Sequence, residues 1–381
     1  MINAVDLFAG CGGLTCGFQN AGVRVKAAFE FWDVAAHVYE KNFDHPVFQI
    51  DLSNVTNAVN VIRPFHPDMI IGGPPCQDFS HAGKRIEAER AGLTGSFANI
   101  VKEILPQYFV MENVDRAEKS NAYAYARQTF KDAGYGLTEI VLDASFCGVP
   151  QKRKRFFCIG VLGSEDDSVR PFLVSKIDDH ETTLRDYFGD SLGFEYYYRH
   201  PRNYNRRAVF SIDEPAPTMR GVNRPVPKGY PGHPNDACPV ENGVRALTTH
   251  ERALIQTFPA SYVWDGSKTD MEQMIGNAVP VKLAEFVARA VIDYIQAKED
   301  KNISAGFSEW LMSEKGYSER VSKDIMSRSR RAEKVLPSHG RINEYYIFSL
   351  EQTDAFQQLS VNVRSQIKRA LQLLMEYSQK G

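Results

Sequence analysis

The sequence holds no CxxC pair; its six cysteines, Cys11, Cys16, Cys76, Cys147, Cys158 and Cys238, stand apart. That scatter offers neither a zinc site nor a disulfide framework and fits a reducing, cytoplasmic setting. No apolar run reaches the roughly 18 residues that a bilayer span needs. The start, MINAVDLFAGCGG, runs from an apolar segment straight into a glycine turn, without the basic stretch and cleavage site of a secretory signal. Internal repeats and low-complexity tracts are missing too. So is a dominant charge: 45 Lys and Arg face 47 Asp and Glu, a net of −2, so the chain is no uniformly basic DNA-coating particle. The imbalance is local. Residues 196–232 carry seven Arg or Lys against two acids, which points to an acidic partner there.

What is present reads as a soluble globular chain, 43% hydrophobic and 24% charged. Its 381 residues exceed one ordinary domain, so one large core with one or two smaller units is expected. Strand candidates are 4–8, 25–29, 69–71, 109–112, 137–142 and 156–161; helix-period stretches 14–21, 34–42, 97–105 and 123–133 lie between them. Such alternation predicts an α/β fold with a doubly wound sheet. Ligands of such sheets bind beyond the carboxyl ends of the strands, where Gly10–Gly13, Glu30, Asp51, Pro74–Cys76 and Glu112–Asn113 fall. Residues 163–244, rich in Pro, Gly, Asn, Arg and Tyr, read as an inserted small domain, irregular or β-rich. Helical pattern returns at 248–257 and after Pro280. A charged hinge is expected at 297–302, with a third, helical unit over 303–381. The catalytic core is then 1–162 together with 245–297.

Four motifs carry chemistry. In DLFAGCGGLTCGF (6–18) a strand ends at Phe8 and glycines open a helix at Leu14. Alone, such a loop holds a nucleotide or adenosylmethionine, or is a plain strand-to-helix turn. Glu30 stands at the distance of a ribose-hydroxyl acceptor, and Asp51 could accept from an adenine amino group; singly, either could be a solvated loop carboxylate. GGPPCQDFS (72–80) places Cys76 on a stiff Pro-Pro elbow after a buried strand, an unusual seat for a structural cysteine. FVMENV (109–114) runs apolar residues into Glu112, whose carboxyl desolvation should raise toward neutrality; the alternative is a loop cap. GVPQKRKRFFCIG (148–160) alternates, putting Gln151, Arg153 and Arg155 on one face and Lys152 and Lys154 on the other.

These motifs, with RALTTHERALIQTFP (245–259) and QMIGNAVP (273–280) following in order, resemble the cytosine-5 DNA methyltransferase family over residues 2–295. The resemblance implies a Rossmann-like, adenosylmethionine-dependent methyltransferase sheet with a target-recognition domain at 163–244. It implies a cofactor pocket of Phe8, Gly10, Gly12, Leu14, Glu30, Phe31, Asp51, Pro75, Leu93 and Asn277 for S-adenosyl-L-methionine. Cys76 is implied as covalent nucleophile, Glu112 as donor to N3 of a flipped cytosine, Arg155 as partner of O2 and Arg153 as an orienting residue. No metal is implied. The insertion would bind double-stranded DNA through Arg199, Arg202, Arg206, Arg207, Arg220 and Arg224, interleaved with Tyr196–Tyr198, Tyr204 and Tyr230. The family's usual setting implies a monomer on DNA, cytoplasmic and nucleoid-associated, paired with a restriction endonuclease of the same site. An RNA cytosine-5 methyltransferase would share the chemistry but carries a shorter insertion with its own cysteine motif. A catalytically silent DNA-binding relative would tolerate loss of Cys76, Glu112 or Arg155, and all three are here. Residues 306–336 resemble the helical core-binding domain of phage-type integrases, which would place Arg328, Arg330, Arg331 and Lys334 outside.

Overall fold

The structure, a computed structural model, describes residues 1–75, 92–203, 205–240, 243–336 and 342–379. The chain divides into two compact units, Met1–Tyr294 and Ile295–Gly381.

The first unit is built on a seven-stranded sheet ordered β3-β2-β1-β4-β5-β8-β6. Its strands are β1 (Asn3–Leu7), β2 (Arg24–Phe29), β3 (Val47–Phe48), β4 (Met69–Gly72), β5 (Tyr108–Val114), β6 (Tyr135–Asp143) and β8 (Lys154–Leu162), with the short β7 (Gln151–Lys152) outside it. β3 to β5 run parallel, and β8 lies antiparallel between β5 and β6. Helices cover the sheet, so the central strands are buried along nearly their whole length and read as unbroken apolar runs. All four residues of β4, and every residue of β5 but Val114, are buried. Strand order reverses between β1 and β4, where a crevice opens at the carboxyl ends.

Each expected strand is present: β1 is shifted back by one residue, and the others are extended by one to three where pairing continues past the apolar stretch. The expected helices appear as Gly13–Asn20, Asp33–Glu40, Gly92–Ile104 and Asn121–Asp132. A further helix, Val55–Ile62, starts at an Asn54 cap that accepts from Asn57 N at 3.1 Å. Ser120 does the same for Asn121–Asp132, accepting from Tyr123 N.

The insertion is irregular with short elements. β9 (Tyr196–Tyr198) pairs antiparallel with β10 (Val209–Ser211) and parallel with β12 (Arg245–Ala246), while β11 (Ala216–Pro217) pairs with β7. One sequence expectation is overturned here. Tyr197 and Tyr198, read as DNA-facing aromatics, are core residues, 0% and 1% exposed. The small sheet is packed on both faces, Tyr197 against Leu184, Phe210 and Ile212, and Tyr198 against Val209 and Tyr230.

The hinge expected at 297–302 is also absent. Helix Val281–Ser313 runs through it without a break. Ala, Lys and Glu are good helix formers and no Gly or Pro interrupts them, so charge alone does not end a helix. The second unit is helical throughout its described residues: Glu319–Val335, Glu344–Glu351, Asp354–Gln357 and Val361–Ser378 follow. They enclose two small cores, one around Phe307, Trp310 and Leu311, the other around Tyr346, Leu350 and Phe356. Among the described residues no helix is long and apolar enough to cross a membrane.

Candidate active site

β1 ends in strain. Phe8 has φ 58°, unusual for a side chain of its size, and turns the chain into the glycine loop. Gly10 follows at φ 54°, with open space where a Cβ would stand. Glu30, just past β2, braces the loop: its Oε2 accepts from Gly10 N at 2.7 Å and its Oε1 from Trp32 N at 2.8 Å. Each carboxylate oxygen retains a lone pair for a ligand.

These residues open onto a cavity of about 960 Å³. Nine of the ten expected cofactor residues line it: Phe8, Gly10, Leu14, Glu30, Phe31, Asp51, Pro75, Leu93 and Asn277. Gly12 does not; a Cβ there would strike the Phe43 ring and approach the Tyr262 hydroxyl. Its φ of 87° serves the packing of the turn. The Phe31 ring is 73% exposed, a bare aromatic face beside the loop. Trp32 lines the same cavity.

Glu112, Arg153 and Arg155 reach the same space from β5 and the start of β8. β5 pairs with β8 so that Glu112 faces Phe157, and Arg155 reaches back to bring its Nε 2.9 Å from Glu112 Oε1. Burial lifts the Glu112 carboxyl above the ordinary carboxylate range, and Arg155 and Arg153 partly offset this. Gln151 and Arg153 are fully buried while Lys152 and Lys154 are exposed, as the alternation requires.

Asn113 donates from Nδ2 to Pro74 O at 3.1 Å, pinning the elbow whose last described residue is Pro75. Cys76 lies outside the described residues.

Arg153 does something the sequence did not suggest. It donates to three carbonyls, Met219 O at 2.9 Å, Gly276 O at 2.9 Å and Ala278 O at 3.0 Å. Gln151 accepts at Oε1 from Met219 N and donates from Nε2 to Gln256 Oε1, both at 2.8 Å. Together they staple the stretch of the insertion that follows β11 to the end of helix Lys268–Asn277. Two further groups were missed. Arg252 and Glu272, both buried, form an ion pair, and Glu272 Oε1 also accepts from Asn223 at 3.1 Å and Thr249 at 2.8 Å. In the sequence both charges look like ordinary helix-surface residues.

The second missed group lies beneath the loop. Thr15 donates to Asp6 Oδ2 at 2.7 Å, its Oγ1 is 2.7 Å from the Tyr39 hydroxyl, and that hydroxyl is 2.7 Å from His45 Nε2. Burial pushes the Asp6 carboxyl from 3.8 up to about 7, against the Thr15 hydrogen bond and with help from Glu30. The raised value means that the fold favours the protonated carboxyl. Its contribution to stability is complete below pH 3.8 and is lost as pH rises through about 7. Relative to wild type, Asp6→Asn should therefore gain stability between pH 4 and pH 8. A difference in urea midpoints that stays flat across that range would refute this.

The insertion's arginines separate into two sets. Arg199 donates to Thr218 O at 2.7 Å, Arg220 to His200 O, and Arg207 pairs with Glu214 while lying 4.4 Å above the Phe210 ring. Arg202, Arg206 and Arg224 are exposed, and Arg202 lines the cavity together with Arg220.

Comparison with known proteins agrees with this geometry. The sequence model of the C-5 cytosine-specific DNA methylases matches residues 2–293. The type II methyltransferase M.HindV of Haemophilus influenzae is 58% identical over 295 residues, 77% of this chain and 97% of that protein. M.HgiDI of Herpetosiphon aurantiacus, also a type II methyltransferase, is 49% identical over 80% of this chain and 98% of its own. In fold, the chain is similar to the S. pombe Dnmt2 methyltransferase, with a TM-score of 0.59, 19% identity, and coverage of 78% of this chain and 100% of the other. The Entamoeba histolytica methyltransferase EhMeth is similar at a TM-score of 0.53 and 15% identity, over 78% of this chain and 98% of its own. The chain therefore belongs to the C-5 cytosine-specific DNA methylase family and is a DNA cytosine-5 methyltransferase.

Proposed function

We propose that the chain methylates carbon 5 of a cytosine flipped from duplex DNA, with S-adenosyl-L-methionine as donor and a covalent bond to Cys76. It acts as a monomer and as the modification half of a bacterial restriction-modification system, beside an endonuclease of the same site. One observation carries the reading: Glu112, Arg155 and the elbow leading to Cys76 share a single cavity with the glycine loop, Glu30 and Asp51.

The residues present fit the donor. Gly10 leaves room for close approach, Glu30 and Asp51 offer acceptors to hydroxyl and amino groups, and Phe31 offers a ring face. Bound there, adenosylmethionine supplies an electrophilic methyl group. Carbon 5 of cytosine is a poor nucleophile. Attack of the Cys76 thiolate on carbon 6 breaks the ring's aromaticity and leaves electron density on carbon 5. Negative charge then grows toward N3 and O2, where the protonated Glu112 donates and Arg155 binds. Loss of the carbon 5 proton, to water, lets the pair of electrons return and expel Cys76. Arg153 holds the walls of this site through backbone carbonyls rather than touching the reacting atoms.

Flipping costs a few kcal/mol, which contacts from the insertion must offset. Arg202, Arg206 and Arg224 are free to reach DNA. Their removal should weaken DNA binding with the fold intact, by roughly 1–3 kcal/mol and with relaxed choice of sequence for any that reads a base edge. Arg207→Ala should instead lower thermal stability, since it breaks a pair within the insertion. Equal effects in both sets would contradict the division. For the donor half, Asp51→Ala should weaken adenosylmethionine binding by roughly 1–3 kcal/mol in calorimetry, and an unchanged affinity would remove Asp51 from the site. The reading as a whole is tested by bisulfite sequencing of DNA from cells expressing the protein. A single sequence motif methylated at carbon 5 is expected, and unmodified DNA would overturn it.

A further inference from the structure

The second unit, Ile295–Gly381, lies beyond the family match, which ends at residue 293. The match to M.HindV takes in 97% of that protein and 77% of this chain. Helix Glu319–Val335 in this unit buries a narrow face, Ser322, Ile325, Ser329 and Ala332. Its opposite face carries Arg320, Lys323, Ser327, Arg331 and Lys334 at the spacing i, i+3, i+7, i+11 and i+14, all exposed, with Arg330 beside them. Those positions form a single stripe along a helix, about 21 Å long at 1.5 Å per residue.

The charges on this stripe are not neutralised by their own unit. Arg320, Arg330, Arg331 and Lys334 have no ion pair among the described residues. Glu319 is held by Lys323 at 2.6 Å, a pair 71% exposed on both sides and therefore weak. Glu351 and Glu376 are engaged elsewhere, by Lys368 and Lys315. The helix's other acids are Asp324 and Glu333. The packed helix Val361–Ser378 adds Arg364 and Arg369, while its Lys368 is the partner of Glu351. The helix's small apolar face is already used in its own unit, so it has none to lay into a membrane or a protein groove. A row of exposed guanidinium and ammonium groups without apolar anchors suits a row of phosphates, which along one DNA strand recur every 3.4 Å or so.

We infer that the exposed face of helix Glu319–Val335 is a second DNA-contacting surface, one that binds the duplex phosphate backbone without regard to sequence. It raises the enzyme's affinity for any duplex and leaves reading and chemistry to the first unit. This rests on the chain being a DNA enzyme, not on the mechanism proposed for it.

The test uses the full chain with Arg320, Arg330, Arg331 and Lys334 all changed to Gln, and a control in which the three arginines become Lys. Binding to a duplex lacking the methylated motif is followed by fluorescence anisotropy at several salt concentrations. Methylation of a short duplex containing the motif is measured in parallel at saturating DNA. The glutamine variant should lose about tenfold or more in low-salt affinity, and its slope of log K against log salt should flatten by about three. The lysine control should keep both, and methylation at saturation should not change. An unchanged slope would overturn the inference, and so would an equal loss in the lysine control, which would show that shape rather than charge matters. Failure of the wild type to methylate any duplex would refute the proposed function and leave this binding result standing.

Discussion

Cys76→Ala should abolish methyl transfer while DNA and donor binding persist. The reason is electronic. Without a thiolate on carbon 6, carbon 5 stays within an aromatic ring that will not take up a methyl group, and the fixed donors at Glu112 and Arg155 have no growing charge to stabilise. A duplex with 5-fluorocytosine at the target separates the steps. Fluorine stands where the departing proton would be, so the thiolate cannot be expelled and the adduct should survive denaturation with wild type alone. The elbow supports the assignment from the protein's side. Asn113 ties Pro74 O to the end of β5, next to Glu112, and a Cβ on Gly73 would come 3.0 Å from the Glu112 carboxylate. A stable adduct formed by Cys76→Ala would defeat the assignment.

Glu272→Ala should cost the first unit roughly 3–5 kcal/mol, the usual penalty for stranding one charge of a buried pair. Arg252 would be left 3% exposed without its carboxylate, and Asn223 and Thr249 would lose their acceptor. Burial, aided by Arg220, already pushes Arg252 down to about 10, so this charge has little solvation to fall back on. The melting temperature should drop on the order of 10 °C. Glu272→Gln, which keeps an acceptor but no charge, should fall between. A double change of Arg252 and Glu272 to leucine should be milder than Glu272→Ala, because no charge remains buried alone. A loss below about 1 kcal/mol for Glu272→Ala would show that water reaches the pair.

These two cases mark the limits of what could be read from the chain. Cys76 and Glu112 are legible because local sequence makes their setting odd: a thiol on a Pro-Pro elbow, a carboxyl ending an apolar run. The parallel strands are legible for the same reason, since burial on both faces leaves unbroken apolar runs such as Met69–Gly72. Arg153 and Arg155 show in their alternation, but not which would face Glu112 and which would grip carbonyls. Arg252 and Glu272 stand 20 residues apart on two helices, each with polar neighbours, so nothing local marks them as buried partners. Tyr197 and Tyr198 mislead because adjacent residues of a strand point to opposite faces, and only the packed sheet shows that both faces are covered. The charged stretch at 297–302 misleads because a run of charges signals solvation, which a helix tolerates, and not a chain break.

The glycines at 221 and 276 touch with no side chain between them. A Cβ on Gly276 would meet the backbone of Arg220 and Gly221, and one on Gly221 would meet Gln273. On one side of that contact is the stretch of the insertion that follows β11; on the other is the helix whose last residue, Asn277, borders the donor's half of the cavity. Side chains can take up a shift by changing rotamer, whereas backbone pressed on backbone passes it on. Whatever factor DNA lends to the donor's affinity through this contact, the donor must lend the same factor to DNA, because linkage between two sites runs equally in both directions.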